Sequence, residues 1–271
     1  MAKAVARANR EDYGSTASWR ISGDGPRILL VHGFRGDHHG LLALAGALPD
    51  AELVIPDLPG YGKTAPFVGE HNLENYGVWL QEFAALAGSF DLVVSHSFGT
   101  LVLASAFGQG FQAKSVMLNP ITTRASDSNG IGNKLAEGYY RMGERAPWLL
   151  AAPVIVRGMS MMLAKTSNPS HRAFIHDQHA RYFSGYQDPR VVFEGFRAAS
   201  QGSVLDFESS LQSELLLVAG EKDIVAPLPQ TAELHKRLPN SQLAVISKVG
   251  HLTHYETPTE VAAHIERFVQ N

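Results

Sequence analysis

The feature that most restricts this chain is a rhythm in which short, wholly apolar runs alternate with stretches of helical character. "PRILLVHG" (26–33), "AELVIP" (51–56), "FDLVVSH" (90–96) and "AKSVMLNP" (113–120) pace the first half, and "SELLLVAG" (213–220) and "SQLAVISK" (241–248) the last part. A strand without polar alternation is covered on both faces, which is the mark of a parallel sheet. Parallel neighbours need long crossovers, and helices between the runs supply them. Leu73, Tyr76, Trp79, Leu80, Phe83 and Leu86 stand at helical intervals, "LLALAGALP" (41–49) is a helix stopped by Pro49, and "FGTLVLASAFG" (98–108) is a helix of small and apolar residues closed by Gly108. A terminal helix, "TPTEVAAHIERFVQ" (257–270), starts near Thr257 or Thr259 as N-cap.

The rhythm stops between residues 121 and 206, where "NKLAEGYYRMG", "APWLLAAPVIVRGMSMMLAK" and "PRVVFEGFRAAS" read as helical pieces. The expected architecture is therefore α/β: a mostly parallel central sheet with helices on both faces, built from residues 1–120 and 207–271, with 121–206 a helical insertion. Such an insertion is either a structural excursion or a lid. Trp148 to Leu163 is its most apolar run, but Pro153, Arg157 and Gly158 interrupt it, and it is too short to span a bilayer.

Composition removes several function classes. With no cysteine there is no disulfide framework, thiolate nucleophile or zinc-thiolate site. A net charge of -3 with mixed signs offers no basic stripe for nucleic acid or anionic lipid, so a small-molecule substrate is the expected partner. The N-terminal segment develops no apolar signal core, so a cytoplasmic protein without a membrane anchor is expected.

In a parallel α/β sheet, ligands gather beyond the carboxyl ends of the strands. His32, Gly33 and Phe34 follow one run, Ser97 another, Asp223 a third and His251 a fourth. "SHSFG" (95–99) has the spacing of a G-x-S-x-G nucleophile elbow with Ser95 in place of the first glycine. Taken locally, Ser97 could equally be the N-cap of the helix it opens. Serine attacks only if a base removes its proton, and an imidazole held by a carboxylate is such a base. His251 directly follows Gly250 at a strand-end turn; His254 is its rival. Asp223 follows Gly220, in a loop that ends at Pro227; Asp57 suits a turn-stabilising role, and Asp188 and Asp206 fall in or beside the insertion. Asp37, His32, His38 and His39 match no metal-ligand spacing, so no metal is expected.

Together "HGF" (32–34), "DLPGYGKT" (57–64), the elbow, "GEKDIVAP" (220–227) and "GH" (250–251) resemble the α/β-hydrolase superfamily over nearly the whole chain, in its lid-bearing branch of carboxylesterases, carbon-carbon hydrolases and haloperoxidase-related esterases. The resemblance implies a Ser97, His251, Asp223 triad, an oxyanion hole made by the backbone N–H groups of Phe34 and Phe98, and no cofactor. It implies hydrolysis of an apolar carboxylic ester through an acyl-enzyme. The alternatives are carbon-carbon cleavage of a diketone or dienoate, with Arg35, Arg157 or Arg172 holding a carboxylate, a hydroxynitrile-lyase-like reaction using Lys222, and a ligand-binding member without catalysis. Phe34, His96, Trp148 and Met162 are the expected pocket residues. The insertion's histidines (171, 176 and 179), Tyr139, Tyr140, Met159 and Met161 would suit an adaptable apolar pocket, but at helical spacing most of them read as ordinary core.

Overall fold

The computed structural model describes residues 7–125 and 131–270; residues 1–6 and 271 of the expected core and 126–130 of the expected insertion lie outside them. Two strands that the apolar pattern does not announce come first, β1 (Ala8–Arg10) and β2 (Ser18–Ile21). The anticipated runs then follow as β3 (Arg27–Val31), β4 (Glu52–Pro56), β5 (Leu92–His96), β6 (Ser115–Leu118), β7 (Leu215–Gly220) and β8 (Ser241–Ile246). They form one 8-stranded sheet in the order β1-β2-β4-β3-β5-β6-β7-β8. Only the β1–β2 and β2–β4 pairings are antiparallel. Every residue of β5, β6 and β7 is buried, as two-sided cover requires, whereas the edge strand β8 alternates between buried and exposed positions.

Helices cover both faces. On one lie α1 (Leu42–Ala45) and α10 (Pro258–Gln270), whose Leu44, Val261 and Ile265 pack on Leu30, Val94 and Val218. On the other lie α2 (Leu73–Ala87) and α3 (Phe98–Gly108), which pack on Leu29, Val31 and Val93. Each fully buried aliphatic side chain here contributes roughly 1.5–3 kcal/mol. The α2 helix is capped by the Asn72 side chain, which accepts from the Asn75 amide at 2.9 Å. It buries Tyr76, Leu80, Phe83 and Ala87, so Leu86 falls off that stripe and is 63% exposed, contrary to the expectation that it belongs to the apolar face. The predicted 41–49 helix is shorter than expected: a tight turn at His38–Leu41 precedes α1, which ends at Gly46. The segment 227–239 gives α8 (Leu228–Arg237), and α9 (Thr253–Glu256) is a single turn before α10.

Between β6 and β7 run α4 (Ile131–Arg145), α5 (Pro153–Leu163), α6 (Pro169–Tyr182) and α7 (Pro189–Gln201). Proline opens α5, α6 and α7, where its missing N–H is no loss. The α5 helix continues through Arg157 and Gly158. No helix among the described residues is long and apolar enough to cross a membrane.

The parallel register sets strand ends side by side. Val31 pairs with Ser95, and His96 with Leu118, so the residues just past β3, β5 and β6 emerge on one edge of the sheet. The chain leaves β3 for β4 on one side and returns to β5 on the other, and the crevice at that reversal is where ligands bind in open α/β sheets.

Candidate active site

Ser97 stands at the turn from β5 into α3 with φ 52° and ψ -117°, a strained backbone for a residue with a side chain. The turn is held from both sides: the Ser97 amide donates to Leu118 O at 3.0 Å, and the Thr100 amide and hydroxyl donate to Ser97 O at 2.8 and 2.6 Å. Ser97 occupies the N-cap position, yet its hydroxyl makes no capping bond. Its Oγ lies 2.8 Å from His251 Nε2. Gly99 allows the close approach of α3 to β3, since a Cβ there would stand 2.7 Å from the carbonyl oxygens of Val31 and His32. Ser95 is fully buried within β5, and its hydroxyl faces Val116 O at 3.4 Å rather than His251.

His251 Nδ1–H donates to Asp223 Oδ2 at 2.8 Å, which leaves Nε2 as the acceptor for the Ser97 hydroxyl. The other Asp223 oxygen accepts from the amides of Val225 and Ala226 at 2.7 and 3.0 Å. Burial alone would raise this carboxyl's pKa; the neighbouring imidazole of His251 and these hydrogen bonds outweigh it and hold the group below the usual carboxylate range. Two residues outside the sequence expectation complete the support. Asn119, just past β6 with φ 51°, donates from Nδ2 to Asp223 Oδ2 at 2.8 Å, and its own Oδ1 accepts from the Thr253 hydroxyl at 2.7 Å. The only sequence signal for Asn119 was its place at a strand end before Pro120.

The rival groups have other partners. Asp57 accepts from the amide and Nδ1 of His38 and from the Lys63 amide, Asp188 caps α7, and Asp206 joins a capping box with Ser203 and pairs with Arg124. His32 bridges Gly33 O and the Leu58 amide. The ligand atoms of Asp37, His38 and His39 lie within 4.8 Å of one another, but Nδ1 of His38 is engaged by Asp57 and that of His39 by Asp37. Trp19, His38, His39 and Tyr182 form a stacked column that joins α6 to the core. Lys222, Arg157 and Arg172 are exposed.

A cavity of ≈ 390 Å³ opens over Ser97 and His251. Phe34, His96 and Met162 line it as expected, together with Phe98, Tyr140 and Phe196. Trp148 does not: it is 70% exposed on the short turn before α5, because the apolar contacts there are made by the fully buried Leu150 instead. Among the described residues, neither the Phe34 nor the Phe98 amide is paired with an acceptor. Phe98 is also the first residue of α3, where helix N–H groups converge.

Four further histidines line the cavity and are buried, among them His32, whose pKa burial also lowers. Burial, with His251 close by, lowers the His96 pKa to about 3; burial and the neighbouring His176 lower that of His179 to about 4; and burial, with His96 beside it, holds His254 well below the usual range. His96 is neutral and donates from Nε2 to His251 O at 3.0 Å, so it supports the backbone of the imidazole that faces Ser97. The turn before that imidazole is also tied to the insertion. His251 N donates to Leu163 O at 3.2 Å, and the buried Glu256 carboxylate accepts from Gly250 N and Lys165 N, both at 2.9 Å.

Residues 28–264 match the profile of a family described as alpha/beta hydrolase. A protein of Bacillus subtilis (strain 168) that carries the provisional name 2-succinyl-6-hydroxy-2,4-cyclohexadiene-1-carboxylate synthase is 24% identical over 271 residues, covering 93% of this chain and 94% of that protein. An esterase from Exiguobacterium antarcticum superimposes with a TM-score of 0.78 at 14% identity, covering 94% of this chain and 96% of its own. A bromoperoxidase from Bacillus anthracis gives 0.78 at 15% identity, with 97% and 100% covered. At these identities the structural likeness is one of fold.

Proposed function

Because the chain belongs to the alpha/beta hydrolase family, we propose that it is a serine hydrolase acting on a carboxylic ester. The observation that carries this is the chain of two 2.8 Å hydrogen bonds from Ser97 through His251 to Asp223. In this reading Ser97 Oγ attacks the ester carbonyl as its proton passes to His251 Nε2, and Asp223 stabilises the imidazolium that forms. The oxyanion is received by the free amides of Phe34 and Phe98. His251 then protonates the departing alkoxide, leaving an acyl-enzyme, and activates the water that releases the acid. The helices α4 to α7 act as a lid, supported by the residues they contribute to the cavity wall, and the aromatic and thioether lining suits an apolar substrate portion.

A fluorophosphonate probe tests the reading: the expected result is a single phosphonylated peptide containing Ser97. A folded sample that stays unlabelled would favour a ligand-binding member. Ser95→Gly is expected to keep esterase activity within about threefold of the wild type, since no interaction with the reacting atoms is lost, as initial rates on p-nitrophenyl butyrate would report. Asn119→Leu removes a buried hydrogen bond to a charged group, a change of about 1.5–3 kcal/mol. A fall in kcat of roughly 10–100-fold with little change in KM is expected in steady-state kinetics.

Carbon-carbon cleavage on a carboxylate-bearing substrate is the second reading; the provisional name of the Bacillus subtilis relative, a synthase of a cyclohexadiene carboxylate, is compatible with a carboxylate in the substrate. Turnover of a vinylogous diketone acid with no ester hydrolysis would select it. The lyase reading loses its lysine, as Lys222 is exposed and outside the cavity lining.

A further inference from the structure

Arg35 follows Phe34 directly and is 1% exposed, the largest fully buried side chain among the described residues. Its backbone is left-handed, φ 59°, a region that residues with a Cβ rarely occupy. A guanidinium taken out of water is normally set against a carboxylate, because an unpaired buried charge is strongly disfavoured. Among the described residues, no carboxylate lies within 4.0 Å of this one. Nη2 donates to Leu150 O at 2.5 Å and to Ser184 Oγ at 3.4 Å. Nη1 has Met159 Sδ at 3.8 Å, a weak acceptor, and Nε is sealed with no partner. The Phe183 and Tyr140 rings lie 4.5 and 6.0 Å from the guanidinium carbon.

Met159, Tyr140 and Phe183 are also cavity wall, so the charge sits one side chain behind that wall. Arg157 and Arg172 are exposed, whereas Arg35 is placed to act inside. A strap between core and insertion would need only the bond to Leu150, and a neutral donor makes such a bond without carrying a charge inward.

We propose that the substrate carries a carboxylate and that Arg35 binds it, the flexible Met159 side chain swinging away so that the anion takes the place of its sulfur. This rests on the hydrolase reading of the same cavity, and it narrows the substrate to esters of acids or alcohols bearing a second, anionic end.

The test uses ester pairs that differ only in that charge, placed on either side of the scissile bond. Mono-p-nitrophenyl adipate is compared with its methyl-capped diester, and a carboxyphenyl ester with the phenyl ester of the same acid. For at least one pair, wild-type kcat/KM is expected to favour the anionic member by roughly tenfold or more, mainly through KM. Arg35→Met is expected to bring that ratio to about one, and Arg35→Lys to retain part of it. Wild-type ratios of one or less for both pairs, or a ratio that survives in a folded Arg35→Met protein, would overturn the proposal and leave Arg35 as a strap. If Arg35→Met does not fold, Arg35→Gln and the wild-type ratios decide. Calorimetric titration of Ser97→Ala with adipate separates this from the hydrolase reading. Binding that is lost in Ser97→Ala/Arg35→Met supports the subsite even if no ester is cleaved, whereas hydrolysis of neutral esters with no preference and no adipate binding refutes the subsite alone.

Discussion

Ser97→Ala is expected to lower kcat on a short p-nitrophenyl ester by about 10⁴–10⁶-fold while the protein stays folded. Among the described residues, the Ser97 hydroxyl both lines the cavity and meets His251 Nε2, which is what the proposed nucleophile requires. Ser95, two residues earlier, is fully buried and faces β6, and the cavity over His251 receives Ser97 alone of the two. What remains after the substitution is the contribution of binding and of the amide donors, which survives loss of a nucleophile in triad enzymes generally. Stability is expected to hold or rise slightly, because the removed hydroxyl caps nothing and bonds only to His251. Initial rates, with a melting curve as the folding control, decide the matter. Retention of more than a tenth of the activity would mean that another group attacks, and equal loss in Ser95→Gly would mean that the elbow was misassigned.

The second large effect is acid unfolding. His96, His179 and His254 are held neutral by burial, with pKa values of about 3, about 4 and well below the usual range, whereas in the unfolded chain each takes a proton near pH 6.5. Below that pH the unfolded state binds protons that the native state refuses, so stability falls as pH falls. The contribution of these residues is complete above about pH 6.5 and disappears progressively toward pH 4. With all three protonated only when unfolded, the slope is on the order of 4 kcal/mol per pH unit. Against a typical domain stability of about 5–15 kcal/mol, cooperative unfolding is expected between roughly pH 5 and 4. Asp223, whose carboxyl is held low, acts in the same direction at lower pH; Glu256, whose carboxyl is raised by burial, acts against it. Urea midpoints measured from pH 7 to 4.5 report the slope, to which the buried His32 adds in the same direction, and His254→Leu should reduce it. A midpoint independent of pH across that range would show that these rings are protonated in the folded protein.

The apolar runs were legible because a strand buried on both faces leaves no alternation to confuse, and β3 to β7 follow from them directly, while the half-exposed edge strand β8 was found from its shorter apolar stretch. β1 and β2 were not, because "ANR" and "SWRI" are short and half-exposed at an antiparallel margin of the sheet. The α6 helix escaped for the opposite reason: it buries His176, Gln178 and His179 beside Ile175, so it has no apolar stripe to read. Ser97, His251 and Asp223 could be named from their order at strand ends, and the fold brings them together. Asn119, Thr253 and Glu256 could not. Asn119 and Thr253 act through contacts between residues far apart in sequence, and nothing local marks any of the three as part of the site. Trp148 failed as a pocket residue since an aromatic in an apolar run indicates burial only when the backbone turns it inward, and here the turn at Pro147–Leu149 sends it outward.

The bonds from Leu163 and Lys165 to the turn that carries His251 limit how freely the two parts of this protein can be recombined. The segment between β6 and β7 is not an interchangeable module, because the chain just past α5 hydrogen-bonds Glu256, a residue from the far end of the chain. A chimera that imports the corresponding segment of a relative leaves the buried Glu256 carboxylate with the Gly250 amide but without the donor from position 165, unless the new segment brings a backbone N–H to the same place. Diversification of the cavity roof is thus bound to the terminal segment, and the two have to vary together.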